Sequence, residues 1–130
     1  MYIFDEKNER PQPDRNRNII IDKLNLDDTQ IIKYDSLIKI HRAGIRPAKH
    51  HLMELKNNLY DQLNYQHDEK LNDSLIAEIN KVQGEIEHIH IRHFQAIKNI
   101  CEPNQLKAYQ DLTTELAKLF TSAPPPKHKK

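Results

Sequence analysis

Isoleucine and leucine return every seven residues along Ile31, Ile38, Ile45, Leu52 and Leu59, with Tyr34, His41, Ala48 and Leu55 at the complementary positions. Seven residues make almost two turns of α-helix, so these side chains form one apolar seam that must be buried against another helix. The seam opens at Leu26-Asp27-Asp28-Thr29-Gln30. There Asp27 can accept from the free amides of a first turn, and Gln30, three residues on, can reach back to the cap as in a capping box. The helix runs to about Leu63. Pro47 stands inside it and withholds one backbone donor, which together with Gly44 predicts a kink or a break near residues 43–47. The seam keeps its register across the proline, which favours the kink.

The polar stretch Asn64 to Asp68 makes the turn. A second helix follows from about Asp68 or Asn72 to Ile100, with Leu75, Ile79, Val82, Ile86, Ile89, His93, Ala96 and Ile100 spaced alternately by four and three. It should pack antiparallel on the first. Glu102-Pro103-Asn104-Gln105 then opens a third helix, with proline at the favoured first position and glutamine again three residues after the cap. That helix ends near Phe120, before Ala123-Pro124-Pro125-Pro126. The fold class is therefore all-α, a long antiparallel helical hairpin plus a shorter third helix over residues 19–121. Residues 1–18 read as a flexible lead-in, because residues 5–18 are polar and carry two prolines without periodicity, and residues 122–130 read as a disordered tail. Gln30, Tyr34 and Leu37 match Gln105, Tyr109 and Leu112 as a weak internal repeat. Two amphipathic helices with similar caps would look alike in the same way.

Composition agrees. There are only two glycines, and the seven prolines crowd the ends, so the middle lacks the punctuation that sheets and tight loops need. Twenty basic side chains against nineteen acidic ones leave a net charge of +1, and the sequence shows no nucleic-acid footprint beyond the short tail Lys127-His128-Lys129-Lys130. A single cysteine, Cys101, rules out an intramolecular disulfide and a multi-cysteine zinc site. No apolar run approaches the roughly 20 residues needed to span a bilayer. Taken literally the chain is soluble, although Tyr2-Ile3-Phe4 and the polar residues after it also fit the edge of an anchor helix with its juxtamembrane linker. No serine, cysteine or threonine has a histidine and an acid at a recognisable spacing, and no glycine-rich phosphate loop occurs. An enzyme is not expected, and no catalytic or cofactor-binding residue is assigned.

Eight histidines are many for this length. In an antiparallel hairpin facing residue numbers keep a constant sum. Leu63 opposite Leu71 therefore sets Leu59 against Leu75, Leu52 against Val82 and His41 against His93. Both histidines lie on apolar seams, where a neutral imidazole needs a hydrogen-bond partner or a metal, because burying it unpaired costs on the order of 1–3 kcal/mol. His90, one turn before His93, can share its face. Imidazoles converging between helices suit zinc, copper, nickel or cobalt, and His41, His90 and His93 are the candidate ligands. The plainer reading is that the seam histidines sit near the open end of the hairpin, partly wetted, and satisfy each other or water. His50, His51, His67 and His88 fall on the surface, Cys101 reads as a small buried filler, and Met53 as packing. Leu37, Ile40, Ile76, Ile91 and Ile97 lie off the main seams and predict a homodimer that covers them.

The capped openings around Leu26-Asp27-Asp28-Thr29-Gln30 and Cys101-Glu102-Pro103-Asn104-Gln105 resemble the paired motifs of the Spy/CpxP periplasmic stress proteins and the related CnrX-like heavy-metal sensors. His88 to Phe120, with His93-Phe94, Cys101 and Glu115-Leu116-Ala117-Lys118-Leu119-Phe120, is similar to the versions found in Bacteroidetes-type bacteria. The resemblance covers roughly residues 19–121. It implies a periplasmic helical homodimer, in the sensor branch anchored to the inner membrane by an N-terminal helix and coupled to a signalling partner there. Sensor-branch metal sites use histidines four apart on the first long helix, a glutamate, and a His-x-x-x-Met pair on a later helix. Here His41 matches the first histidine but Ile45 takes the second position. His93 matches the later histidine, with Ile97 where methionine would stand, and His90 is the substitute proposed for the missing ligands. The chaperone branch implies instead a concave dimer surface that shields unfolded client proteins without ATP. The expected function is periplasmic heavy-metal sensing or binding, with the ATP-independent chaperone as the alternative.

Overall fold

The computed structural model describes the backbone of residues 11–121, with side-chain environments over residues 16–116. The expected anchor edge at residues 2–4, the first part of the lead-in and the tail at 122–130 lie outside the described residues. Among the described residues there are four α-helices, α1 (Pro11–Leu24), α2 (Asp28–Asp61), α3 (Glu69–Ile100) and α4 (Leu106–Thr121), with 3₁₀ turns at Gln62–Asn64 and Pro103–Gln105. No strand is present among the described residues, and none of the helices is long and apolar enough to cross a membrane.

The helix α1 corrects the sequence reading, because residues 11–18 were expected to be flexible. Pro11 and Pro13 fall in the first turn, where a missing N–H leaves no helical hydrogen bond unmade. Ile20 and Leu24, one turn apart, are both buried. The apolar triplet Ile19-Ile20-Ile21 is too short to display a helical period by itself. A Schellman motif stops the helix: the Leu26 amide donates to the Ile21 carbonyl at 3.1 Å and the Asn25 amide to that of Asp22 at 3.2 Å. Asn25 takes φ 55°, a left-handed conformation that asparagine tolerates better than most side chains.

The 19–121 region, expected as one hairpin domain, divides into two compact units, Tyr34–Ile97 and the flanking residues up to Lys33 and from Lys98 onward. Within the first, α2 and α3 run antiparallel, since His41 meets His90 while His51 meets Glu78. Ile45, Leu55, Val82 and Ile86 form the buried core, flanked by Ala48, Leu52, Leu75, Ile79 and Ile89. These are the two expected seams. The turn also falls as expected, with Asp68 capping α3 through a 3.0 Å bond from the Leu71 amide to Oδ1. Pro47 does not break α2. The carbonyl deprived of its helical donor belongs to Ala43, and Ala43 and Pro47 are both exposed, so water can serve that oxygen.

Two residues sit differently from the seven-residue count. Ile97 was placed off the seam and is fully buried. A straight helix turns about 100° per residue, so Ile97 stands only about 40° from Leu75, while a strict heptad drifts away from the buried stripe. Met53 was read as packing and is exposed, because it lies on the flank of α2.

In the second unit α1 packs along α4, with Lys23 and Glu115 paired at 3.4 Å. Its polar centre is a reciprocal pair of glutamines. Gln30 and Gln105 are buried, and each closes a capping box. The Asp27 amide donates to Gln30 Oε1 at 2.9 Å and the Gln30 amide to Asp27 Oδ1 at 2.8 Å. The Glu102 amide donates to Gln105 Oε1 at 2.6 Å, and the Glu102 side chain caps in return. Gln30 Nε2 then donates to Gln105 Oε1 at 2.7 Å and to the Ile100 carbonyl at 2.7 Å. Gln105 Nε2 reaches Gln30 Oε1 at 3.1 Å and the carbonyls of Leu24 and Asn25, each at 3.0 Å.

Removing either amide orphans several buried groups, at about 1–3 kcal/mol for each one left unsatisfied. We expect Gln30→Met and Gln105→Met each to destabilise the protein by at least about 2 kcal/mol in urea unfolding. The double variant should cost less than the two singles together, since each single already breaks the bond between them. Strict additivity would show that the two caps act independently. A smaller effect of opposite sign is expected at Gly84, where an added Cβ would meet no atom within 4 Å. Gly84→Ala should raise stability by about 0.5–1 kcal/mol through helix propensity, read as a higher urea midpoint.

Candidate functional site

The histidine cluster is built by the same seam that builds the core. His41 stands one helical turn before Ile45, and His93 continues the α3 stripe that holds Ile86 and Ile89. The packing of those neighbours fixes the imidazoles opposite one another. The rings of His41 and His93 have centroids 4.3 Å apart with planes inclined by 31°. His90 joins them, 5.2 Å from His41 between centroids, with His41 Nε2 and His90 Nδ1 3.1 Å apart. One of those nitrogens donates and the other accepts. Buried Tyr34 stacks on His93 with centroids 6.4 Å apart, and Phe94 meets His93 edge-on at 5.1 Å.

The structure therefore brings together all three candidate residues. Among the other described histidines, His50, His51, His67 and His88 stay outside the cluster and are exposed. His50 pairs with Glu54 at 3.2 Å, and His51 lies 3.9 Å from Glu78. Cys101, expected to be buried, is half-buried, and burial raises its thiol pKa. Gln30 and Gln105 were legible as caps, but their pairing was not foreseen. The signal was the repeat that places each at the same point of its helix opening.

All three imidazoles are held neutral at ordinary pH. Burial lowers the pKa of His93 to about 4, helped by repulsion from His41 and His90. His41 is lowered by burial, then by His90, Lys49 and Arg42. His90 is lowered by burial and by Lys49, against an opposing pull from Glu87. Neutral imidazoles are the form that ligates metals. Two nitrogens bound at about 2.0–2.1 Å to one tetrahedral ion stand roughly 3.3 Å apart, close to the His41–His90 separation. His93 meets His41 through a tilted ring contact with no hydrogen bond between the two, and among the described residues no group of three His, Cys, Asp or Glu side chains is arranged to hold a metal ion. Ligation by all three requires the His93 ring to turn.

The chain matches no protein-family model, no curated protein and no solved structure.

The lowered pKa values fix how stability follows pH. Below the ordinary histidine value near 6.5 the unfolded chain takes up protons that the folded cluster refuses. The cluster's contribution is thus complete above about 6.5 and is lost as the pH falls towards about 4, where folded His93 itself titrates. Urea midpoints measured from pH 7 to pH 4 should fall steadily. His93→Leu should flatten that decline, whereas His88→Leu, on the exposed surface, should leave it unchanged.

Proposed function

We propose that this chain is a transition-metal-binding protein of the bacterial envelope, of the Spy/CpxP and CnrX-like type, that senses or sequesters the metal through His41, His90 and His93. The observation that carries this reading is the meeting of three neutral imidazoles between two long helices, with His41 Nε2 and His90 Nδ1 3.1 Å apart. A bound ion would sit between those two nitrogens, with the donor ring carrying its proton on its other nitrogen, and would draw the His93 ring towards it. Borderline-soft divalent ions, namely zinc, nickel, cobalt or copper, suit an all-nitrogen donor set. The twin capping boxes, each with an inward-turned glutamine, support the family assignment, because they occur at both openings that carry the resemblance. A homodimer is the form proposed for the folded protein, with a second copy covering exposed Ile40 and Ile91.

The chaperone reading has its own observation. Ile40, Leu63, Tyr65, Ile76 and Ile91 remain exposed, and an exposed apolar surface with no partner is what an unfolded client would bind.

Titration calorimetry with micromolar zinc, nickel, cobalt or copper separates the two. Binding should be lost in His41→Ala and His90→Ala and weakened in His93→Ala, but kept in the His50→Ala/His51→Ala double variant. A ligand that binds only the folded state at a hundred times its Kd stabilises it by about 2.7 kcal/mol, so the unfolding temperature should climb with metal concentration. Because the imidazole pKa values are lowered, proton competition should set in below the usual value near 6.5. If none of the four metals binds, or if the His50/His51 variant alone abolishes binding, the seam histidines are structural, and suppression of client aggregation becomes the function to assay.

A further inference from the structure

A second feature of the Tyr34–Ile97 unit lies outside the histidine cluster. Lys39, Arg42, Arg46, Lys49 and Lys56 follow one another along α2 at intervals of three and four, with a single seven-residue step between the last two. Such spacing places them on one face of a helix. The skipped position is Met53, and the next is Tyr60, so the face continues as apolar and aromatic surface. No acidic residue interrupts it between Lys39 and Tyr60. The run covers about 30 Å at 1.5 Å per residue.

A chain whose net charge is only +1 has concentrated five cations on one line. None of the five makes an ion pair among the described residues. Glu54, the acidic residue nearest in sequence, pairs with His50. Lys39, Arg46, Lys49 and Lys56 are exposed and Arg42 is half-buried. Lys39, Arg42 and Arg46 border a shallow depression of about 450 Å³ together with Ala43 and Pro47. Beyond Tyr60 the stripe leads to the hairpin tip, where Leu63 and Tyr65 are 81% and 65% exposed. A second depression of about 400 Å³ lies there between Tyr60, Leu63, Tyr65 and Ile76.

We infer that this face docks on an anionic lipid surface. The cations would lie along the headgroups, while Met53, Tyr60, Leu63 and Tyr65 would enter the interfacial layer. Cations alone would suit any polyanion. It is their continuation into tyrosine and leucine at the tip that selects a bilayer, whose interface accepts amphipathic aromatic rings and apolar side chains beside phosphate. An acidic polypeptide or a nucleic acid would leave Leu63 without an apolar partner.

The test is co-sedimentation of the full chain with vesicles of phosphatidylcholine alone or with one-quarter phosphatidylglycerol. Binding is expected only with the anionic lipid, and it should fall as salt shortens the range of the interaction. The Arg42→Gln/Arg46→Gln/Lys49→Gln variant should weaken association about a hundredfold, since each charge near such a surface contributes about fivefold. Lys81→Gln/Arg92→Gln/Lys98→Gln removes as much charge from other positions and should change it far less. Leu63→Ser/Tyr65→Ser should weaken binding with little change in its salt dependence. Circular dichroism checks that each variant keeps its helices. Equal binding to neutral vesicles, equal loss in both triple variants, or no vesicle binding at low salt would overturn the inference. Capture of duplex DNA or an acidic peptide without vesicle binding would overturn it in favour of those partners.

Discussion

A helix that starts inside a protein brings several N–H groups with no helical partner, and two helices here start side by side. Gln30 and Gln105 resolve that conflict. Each oxygen accepts from the cap of its own helix and from the other glutamine, while each nitrogen satisfies the other amide and a carbonyl where a neighbouring helix ends. Other side chains of similar size fail for definite reasons. Glutamate would accept but could not donate, and methionine or leucine would fill the space but leave the caps unmet. The αL turn at Asn25 belongs to the same solution, because it brings the carbonyls of Leu24 and Asn25 within reach of Gln105.

Much of the Tyr34–Ile97 unit was legible because one rule governs it. Once the turn is placed, an antiparallel hairpin pairs residues by constant sum, and that sum carried the argument from Leu52 and Val82 out to His41 and His93. It could not reveal how the rings would face one another, since ring rotation depends on the tautomer and on neighbours such as Tyr34. The rest was hidden for other reasons. The helix α1 has too few apolar residues to show a period, and its burial depends on α4, far away in sequence. Ile97 was misplaced because a heptad is not an integral number of helical turns. The glutamine pairing was hidden because a capping signature states which amides are met and leaves open what lies on the far side of the amide group.

The histidine cluster and the basic stripe share an electrostatic boundary. Lys49 and Arg42 depress His41, and Lys49 also depresses His90. The charges that repel a proton from those rings repel a metal cation for the same reason. An anionic surface lying on the stripe would relieve that repulsion, so the two proposals, taken together, require lipid and metal to strengthen each other's binding equally.

The glutamine clasp joins residues 75 positions apart, whereas the turn at Gln62–Asn64 joins helices that are immediate neighbours in the chain. Closing a long loop costs entropy before any contact repays it. The hairpin can therefore assemble from its tip, whereas the clasp must close the much longer loop between Gln30 and Gln105. If the clasp closes after the transition state, its loss should accelerate unfolding while leaving the folding rate nearly untouched. In that case the clasp would govern how long the native state persists, and the tip how quickly it is reached.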